Sequence, residues 1–283
     1  MSQVQDYVDR HRERFLEELV ELLSIPSVST DDAHKPDVLR CADWVAEHLE
    51  DAGLETEILE TDGHPAVYAE RVAAPGQPTV LIYGHYDVQP PDPIDLWRHG
   101  PFTPVVEDGY LIARGATDDK GQFYSLVKGV QAALSCADEL PVNVKLLIEG
   151  EEEIGSPNLA PVIRREKERL GCDVVFISDC SQLAIDVPAI TYGLRGMAYF
   201  ELVVRGPDKD LHSGSYGGAV ANPANVLTRL ISACQDPFGR IAVPGFYDKV
   251  RELSPEERTA FAELPFDEAS FLKETVSPQT CGE

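Results

Sequence analysis

Val142-Asn143-Val144-Lys145-Leu146-Leu147-Ile148-Glu149-Gly150-Glu151-Glu152-Glu153-Ile154-Gly155-Ser156 is the stretch from which the fold can be read. Its first seven residues are mostly β-branched and aliphatic, as in a buried strand, and Gly155-Ser156-Pro157-Asn158 then supplies turn and helix-start residues. The adjacent carboxylates therefore fall at a strand's carboxyl end, where open α/β sheets bind their ligands. Alone, Glu151-Glu152-Glu153 reads as a solvated acidic loop. Its neighbours along the chain change that reading.

Upstream, Thr79-Val80-Leu81-Ile82-Tyr83-Gly84 reads as a second buried strand, delivering His85-Tyr86-Asp87 to its end with His85 and Asp87 on one side. Before it come amphipathic helices over Val4–Leu23 and about Pro36–Ala52, then short strands at Glu55–Glu60 and Ala66–Val72. After it come an antiparallel pair around Glu107-Asp108-Gly109, a helix ending near Cys136, a helix over Asn158–Leu170, and a strand Asp173–Ser178 that ends in Asp179. This alternation predicts an α/β fold with a mostly parallel sheet sandwiched by helices. Past Gly193 the texture changes to an alternating strand, Met197–Val204, a glycine-rich loop from Leu211 to Gly218, and a helix over Asn222–Cys234. Two domains are expected, 1–193 and a smaller α+β domain over 194–283.

The 283 residues, 43% of them hydrophobic, suffice for two ordinary cores. With 24 basic and 49 acidic residues the net charge is -25, which argues against nucleic acid as a partner. Bound cations would offset part of that charge, and salt-adapted proteins share it. No apolar run reaches the roughly 20 residues of a membrane helix, and the N-terminus has no signal-peptide core, so a cytoplasmic protein without a membrane partner is expected. The six cysteines form no CxxC pair, which predicts buried free thiols rather than disulfides or a zinc knuckle.

Strand and loop ends thus present His85 with Asp87, Asp118 with Asp119, Glu152 with Glu153, and Asp179. Each has an ordinary explanation by itself: an edge histidine, a helix N-cap at Asp118, a turn former at Asp179. Together they offer oxygen and imidazole donors without thiolate, a set suited to zinc, manganese or cobalt. Several carboxylates in one cleft repel one another, which favours two divalent metal ions bridged at about 3.5–4 Å.

Four motifs occur in order: Gly84-His85-Tyr86-Asp87-Val88-Gln89-Pro90, Arg114-Gly115-Ala116-Thr117-Asp118-Asp119-Lys120-Gly121, Glu149-Gly150-Glu151-Glu152-Glu153-Ile154-Gly155-Ser156 and Ile177-Ser178-Asp179. This set resembles the M20 metallopeptidases, and within them the carnosinase-like dipeptidases. The resemblance implies that His85 and Asp179 bind one metal, Glu153 binds the second, Asp118 bridges both, and Glu152 is the general base and acid. Asp87 would hydrogen-bond the His85 ring, and a cis peptide would join Asp118 to Asp119. His212 would reach from a lid domain into a partner's active site, so a homodimer is implied, with a small peptide as substrate and zinc as the first choice of metal. On this reading 1–193 belongs to the catalytic domain and 194–283 to the lid.

The departures from the family's pattern matter as well. Members are considerably longer, and a histidine near their C-terminus completes the second metal site, whereas none of the seven histidines here follows His212. A partial chain is therefore expected, with the lid sheet short of strands and apolar surface exposed. The expected activity is amide hydrolysis of dipeptides; an N-acyl amino acid deacylase, a carboxypeptidase and an inactive metal-binding fragment are the alternatives.

Overall fold

A computed structural model describes residues 2–137, 140–184, 187 and 189–280. The chain divides into two compact units, Met1–Ser181 and Gln182–Glu283. Cys281 lies outside the described residues.

The first unit opens with helices α1 (Ser2–Leu23) and α2 (Lys35–Asp51), followed by strands β1 (Glu55–Leu59), β2 (Ala66–Arg71) and β3 (Thr79–His85). A short hairpin of β4 (Val105–Glu107) and β5 (Tyr110–Ile112) precedes α3 (Lys120–Cys136), β6 (Asn143–Glu149), α4 (Leu159–Arg165) and β7 (Val174–Ile177). The main sheet runs in the order β1-β2-β6-β3-β7. It is mixed: β1, β2 and β6 pair antiparallel, while β6, β3 and β7 run parallel. The parallel portion is the part that carries the site.

Every residue of β6 is buried, because both sheet faces are covered. Val67, Ala69, Ile82, Val144, Leu146 and Ile148 pack into one core with residues of α2 and α3. Tyr68, Leu81 and Leu147 meet Val162 and Leu170 on the opposite face. Each fully buried aliphatic side chain contributes about 1.5–3 kcal/mol, so the central strand is the best-anchored element of the unit. Helix α1 is fastened to α3 by a Lys128–Glu18 ion pair of 2.6 Å, and the Tyr124 hydroxyl also donates to Glu18.

Two segments depart from the expectation. Helix α4 stops at Arg165 rather than Leu170, and the turn that follows is held by the Lys145 ammonium, which donates to the carbonyls of Arg169 and of Gly171 (2.9 Å). Met197–Val204 forms no strand; its large apolar residues stand exposed, Phe200 at 91%. An isolated strand leaves its backbone groups unpaired, and no partner strand exists for it among the described residues. The second unit consists of α5 (Ser213–Tyr216), α6 (Pro223–Ser232), α7 (Pro255–Ala262) and α8 (Glu268–Thr275) joined by loops. Asn222, Ser254 and Asp267 cap the last three of these helices. The apolar surface expected to be exposed in 194–283 is there, with Leu194, Tyr199, Phe200 and Phe238 almost fully accessible, and the four residues of β7 in the first unit are half exposed as well. The cysteines also differ from expectation: Cys41 is buried, but Cys172, Cys180 and Cys234 are exposed.

Candidate metal centre

Strand register builds the site. In the parallel pair β3–β6, His85 stands opposite Glu149, and in β3–β7, Tyr83 stands opposite Ile177. The three strands therefore end almost level, and the loops bearing Asp87, Glu152 with Glu153, and Asp179 leave the sheet side by side. The turn before α3 adds Asp118 and Asp119, joined by a cis peptide.

His85 is fully buried. Its ring Nδ1 lies 3.0 Å from the Asp87 carbonyl oxygen and 3.4 Å from the Asp87 carboxylate. Its Nε2 faces Asp118 at 3.2 Å and Asp179 at 3.7 Å. Acceptors thus face both ring nitrogens; when the ring is neutral, a proton on Nδ1 meets the Asp87 carbonyl and leaves the Nε2 lone pair toward the two carboxylates. Such a set of three electron-rich donors is favourable only around a proton or a cation.

Asp87 meets the His85 ring as expected, and does more than orient it. Its carbonyl takes the closer contact with His85, while its buried carboxylate accepts from the backbone N–H of Glu152 (3.2 Å) and of Glu153 (3.1 Å). One side chain thereby ties the histidine strand to the loop of the two glutamates. Asp119 occupies the first position before α3 but does not cap it; its carboxylate accepts from the backbone N–H of His85 at 3.1 Å. Among the described residues Asp118 caps no helix either.

The three consecutive glutamates have three different fates. Glu151 is buried and accepts from the backbone N–H of His64 and from both the backbone and side-chain amides of Asn158. Glu152 receives no hydrogen bond on its carboxylate among the described residues. Glu153 accepts from the Gln89 side chain at 2.7 Å. Glu149, at the end of β6, is buried beneath them and accepts from the Tyr83 hydroxyl (2.5 Å) and Ser156 Oγ (2.9 Å). Sequence reasoning assigned no role to Glu149, Glu151 or Gln89. Asn158 was the available signal for Glu151, being the polar partner seven residues along the chain.

The electrostatics fit a cation. Burial raises the carboxyl pKa of Glu152, Glu153 and Asp179, and the neighbouring acids add to the rise. Burial, with help from Asp179 and Asp118, pushes Asp119 up to about 7. For His85 burial acts against the charged form, but the hydrogen bond and charge of Asp87, with Asp119 and Asp179, overcome it and push the imidazole to about 10. Among the described residues, two groups have donor atoms close enough to hold a metal ion: His85, Asp118 and Glu153, and His85, Glu152 and Asp179. All lie within 4.8 Å of one another in each group. Oxygen and imidazole donors of this kind suit zinc, manganese or cobalt. His212 belongs to the second unit, where its Nδ1 accepts from the Gly214 N–H at 3.0 Å.

Fold and site together define an α/β protein with a carboxylate-rich metal centre at the carboxyl ends of parallel strands. Comparison with known proteins makes this more specific. Residues 81–271 match the model of peptidase family M20/M25/M40. Over 98% of its length the chain is 36% identical to the Cys-Gly metallodipeptidase dug1 of Schizosaccharomyces pombe, and over 94% it is 36% identical to the human Beta-Ala-His dipeptidase. It covers 60% and 56% of those two proteins. Among solved structures, the M20 family metallo-carboxypeptidase Sso-CP2 from Sulfolobus solfataricus superposes with a TM-score of 0.81 at 38% identity, over 95% of this chain and 60% of that one. The chain belongs to the M20/M25/M40 peptidase family, and it spans about 60% of the length of the relatives it matches.

Proposed function

We propose that the chain carries the metal centre of a dipeptidase, which hydrolyses the amide bond of a dipeptide or similarly small peptide with two divalent metal ions, zinc first among them. The observation that carries this reading is the pair of donor groups sharing His85, in a chain similar to enzymes named for Cys-Gly and β-Ala-His hydrolysis. His85 and Asp179 would hold one ion and Glu153 the other, with Asp118 available to both. Bound there, the ions would supply positive charge to polarise the substrate carbonyl and to acidify water toward a pKa of about 7.

The chain's own residues do the rest. Glu152 takes a proton from the attacking water on its carboxylate and returns it to the leaving amine nitrogen. Its raised pKa and free carboxylate suit both transfers. Asp87 acts on the backbone, holding Glu152 and Glu153 at fixed distance from His85. The first unit is the metal-binding part of the catalytic domain, and the second belongs to a lid through which full-length copies form a homodimer. His212, supplied from a partner's lid, polarises the scissile carbonyl. On this reading the enzyme acts on peptides in the cytoplasm. No described helix is long and apolar enough to cross a membrane, and the net charge of -25 repels nucleic acid.

The test is Glu152→Gln, assayed against Cys-Gly, β-Ala-His, an N-acyl amino acid and a longer peptide. Turnover of the dipeptides should fall about 10²–10⁴-fold with metal content unchanged. Normal turnover would remove the base assignment. Cleavage of the acylated amino acid or the longer peptide in preference to the dipeptides would replace the dipeptidase reading.

A further inference from the structure

Lys120 is fully buried beside the metal-binding turn, and the reaction makes no use of it. Its Nζ donates to the carbonyls of Leu22 (3.0 Å) and Ile25 (2.7 Å), at and just beyond the end of α1. A buried ammonium held by neutral carbonyls is costly to desolvate, although the exposed carbonyls at a helix C-terminus offset part of that cost. Fastening α1 to α3 does not explain it. Lys128, eight residues further along the same helix, already does this through its ion pair with Glu18.

The segment that Lys120 grips leads back to the metal centre. Two residues beyond Ile25, Ser27 Oγ donates to the Tyr86 carbonyl at 2.7 Å, and the Val88 N–H donates to the Ser27 carbonyl at 3.0 Å. Cys41, next to the ammonium, also points its thiol at the Tyr86 carbonyl, 3.8 Å away. Tyr86 lies between His85 and Asp87, and Lys120 is two residues after Asp118. The space between the two ligand segments is closed as well, since a side chain at Gly115 would strike Val88 and the Lys120 stem.

We infer that Lys120 is a positioning residue for the metal centre. Its ammonium ties the turn presenting Asp118 to the post-helix segment 24–28, and that segment in turn fixes the strand end presenting His85. The distance between Asp118 and the His85 Nε2 edge, 3.2 Å here, is set through this link. The inference rests on the metal-centre reading above.

Cobalt(II) gives both readings a spectroscopic signature. The full chain, Lys120→Met and Lys128→Met are each loaded with cobalt(II), and their visible absorption and chelator-competition affinities are compared. Lys120→Met should bind cobalt at least about 10-fold more weakly with an altered absorption band. Lys128→Met should melt at lower temperature and keep the wild-type band and affinity. If the two variants change alike, or if Lys120→Met keeps the wild-type band and affinity, the positioning role is overturned. Ser27→Ala keeps the ammonium and breaks only the link to Tyr86, so it decides the question should Lys120→Met not fold. It should shift the band in the same sense, and an unchanged band overturns the proposal. Absence of any cobalt band in the wild-type chain would overturn the metal-centre reading itself, and this inference with it.

Discussion

The two walls of the metal centre are built differently. On the β3–β6 side, His85, Asp87, Glu149 and Glu151 are buried, and each carboxylate accepts two or more hydrogen bonds from the protein. On the other side, Asp118 is 57% exposed and Asp179 sits past β7, a four-residue edge strand open on both faces. The carboxylates divide by what donates to them. Those saturated with N–H and O–H donors hold the shape of the site, and those left unsaturated, Glu152, Asp118 and Asp179, are free to take a cation or a proton. A carboxylate in a metal centre is thus assigned its task by its hydrogen bonds before any metal arrives.

The largest effect that would test this contrast is a pair of truncations. Leu146→Ala, in the middle of β6, should destabilise the chain by roughly 2–5 kcal/mol, as a cavity in a fully packed core does. Phe176→Ala, in β7, should cost under about 1 kcal/mol because half of its ring is already in solvent. Urea unfolding followed by fluorescence or circular dichroism measures both. Equal losses would mean that β7 is as firmly held as β6 and that the two walls are alike.

A second contrast concerns pH, and its sign follows from the direction of the shifts. His85 at about 10 lies above its ordinary 6.5, so the stability it lends is complete below pH 6.5 and fades as pH rises through 10. Asp119 at about 7 lies above its ordinary 3.8, so its contribution is complete below 3.8 and is lost as pH rises through 7. The two act in the same direction. With metal removed by chelator, the melting temperature should fall between about pH 4 and 10, the reverse of ordinary acid denaturation. Zinc or manganese should flatten that fall, since a cation replaces the proton among the same donors. A metal-free melting temperature that rises over this range would show that the saturated wall does not hold its proton.

Much of this was legible in the residues. Period-two patterning and aliphatic runs identified β3 and β6, and the acids at their ends marked the site, because a buried strand has few ways to place a His-x-Asp or a Glu-Glu pair. The resemblance implied the cis Asp118–Asp119 peptide, which the structure has. What could not be read was the partition of like residues. Glu151, Glu152 and Glu153 are identical in one dimension and differ only in which amides reach them, and those donors come from residues as far away as His64 and Gln89. Nor does local pattern reveal a missing partner, so Met197–Val204 alternated like a strand and formed none. Lys120 showed nothing beyond a charge at a helix start, since the carbonyls it grips lie almost a hundred residues earlier.

The smallest expected effect probes the border between the walls. Glu153 is a donor in one candidate metal group, and among the described residues its carboxylate is steadied only by the exposed Gln89, whose amide donates to it at 2.7 Å. Gln89→Ala removes that amide and nothing in the core, so folding stability should stay within about 0.5 kcal/mol of the wild type. Metal bound at the Glu153 side should weaken by about 10-fold, the lower end of what partners of metal ligands contribute, because an exposed hydrogen bond competes with water. Metal at the Asp179 side should not change, as no contact joins it to Gln89. Titration with zinc against a chelator resolves the two classes of site, and the expected result is a shift in one only. If both shift together, Glu153 and Asp179 answer to the same support, and the difference between a saturated and an unsaturated wall would lie in Asp118 rather than in the strands behind it.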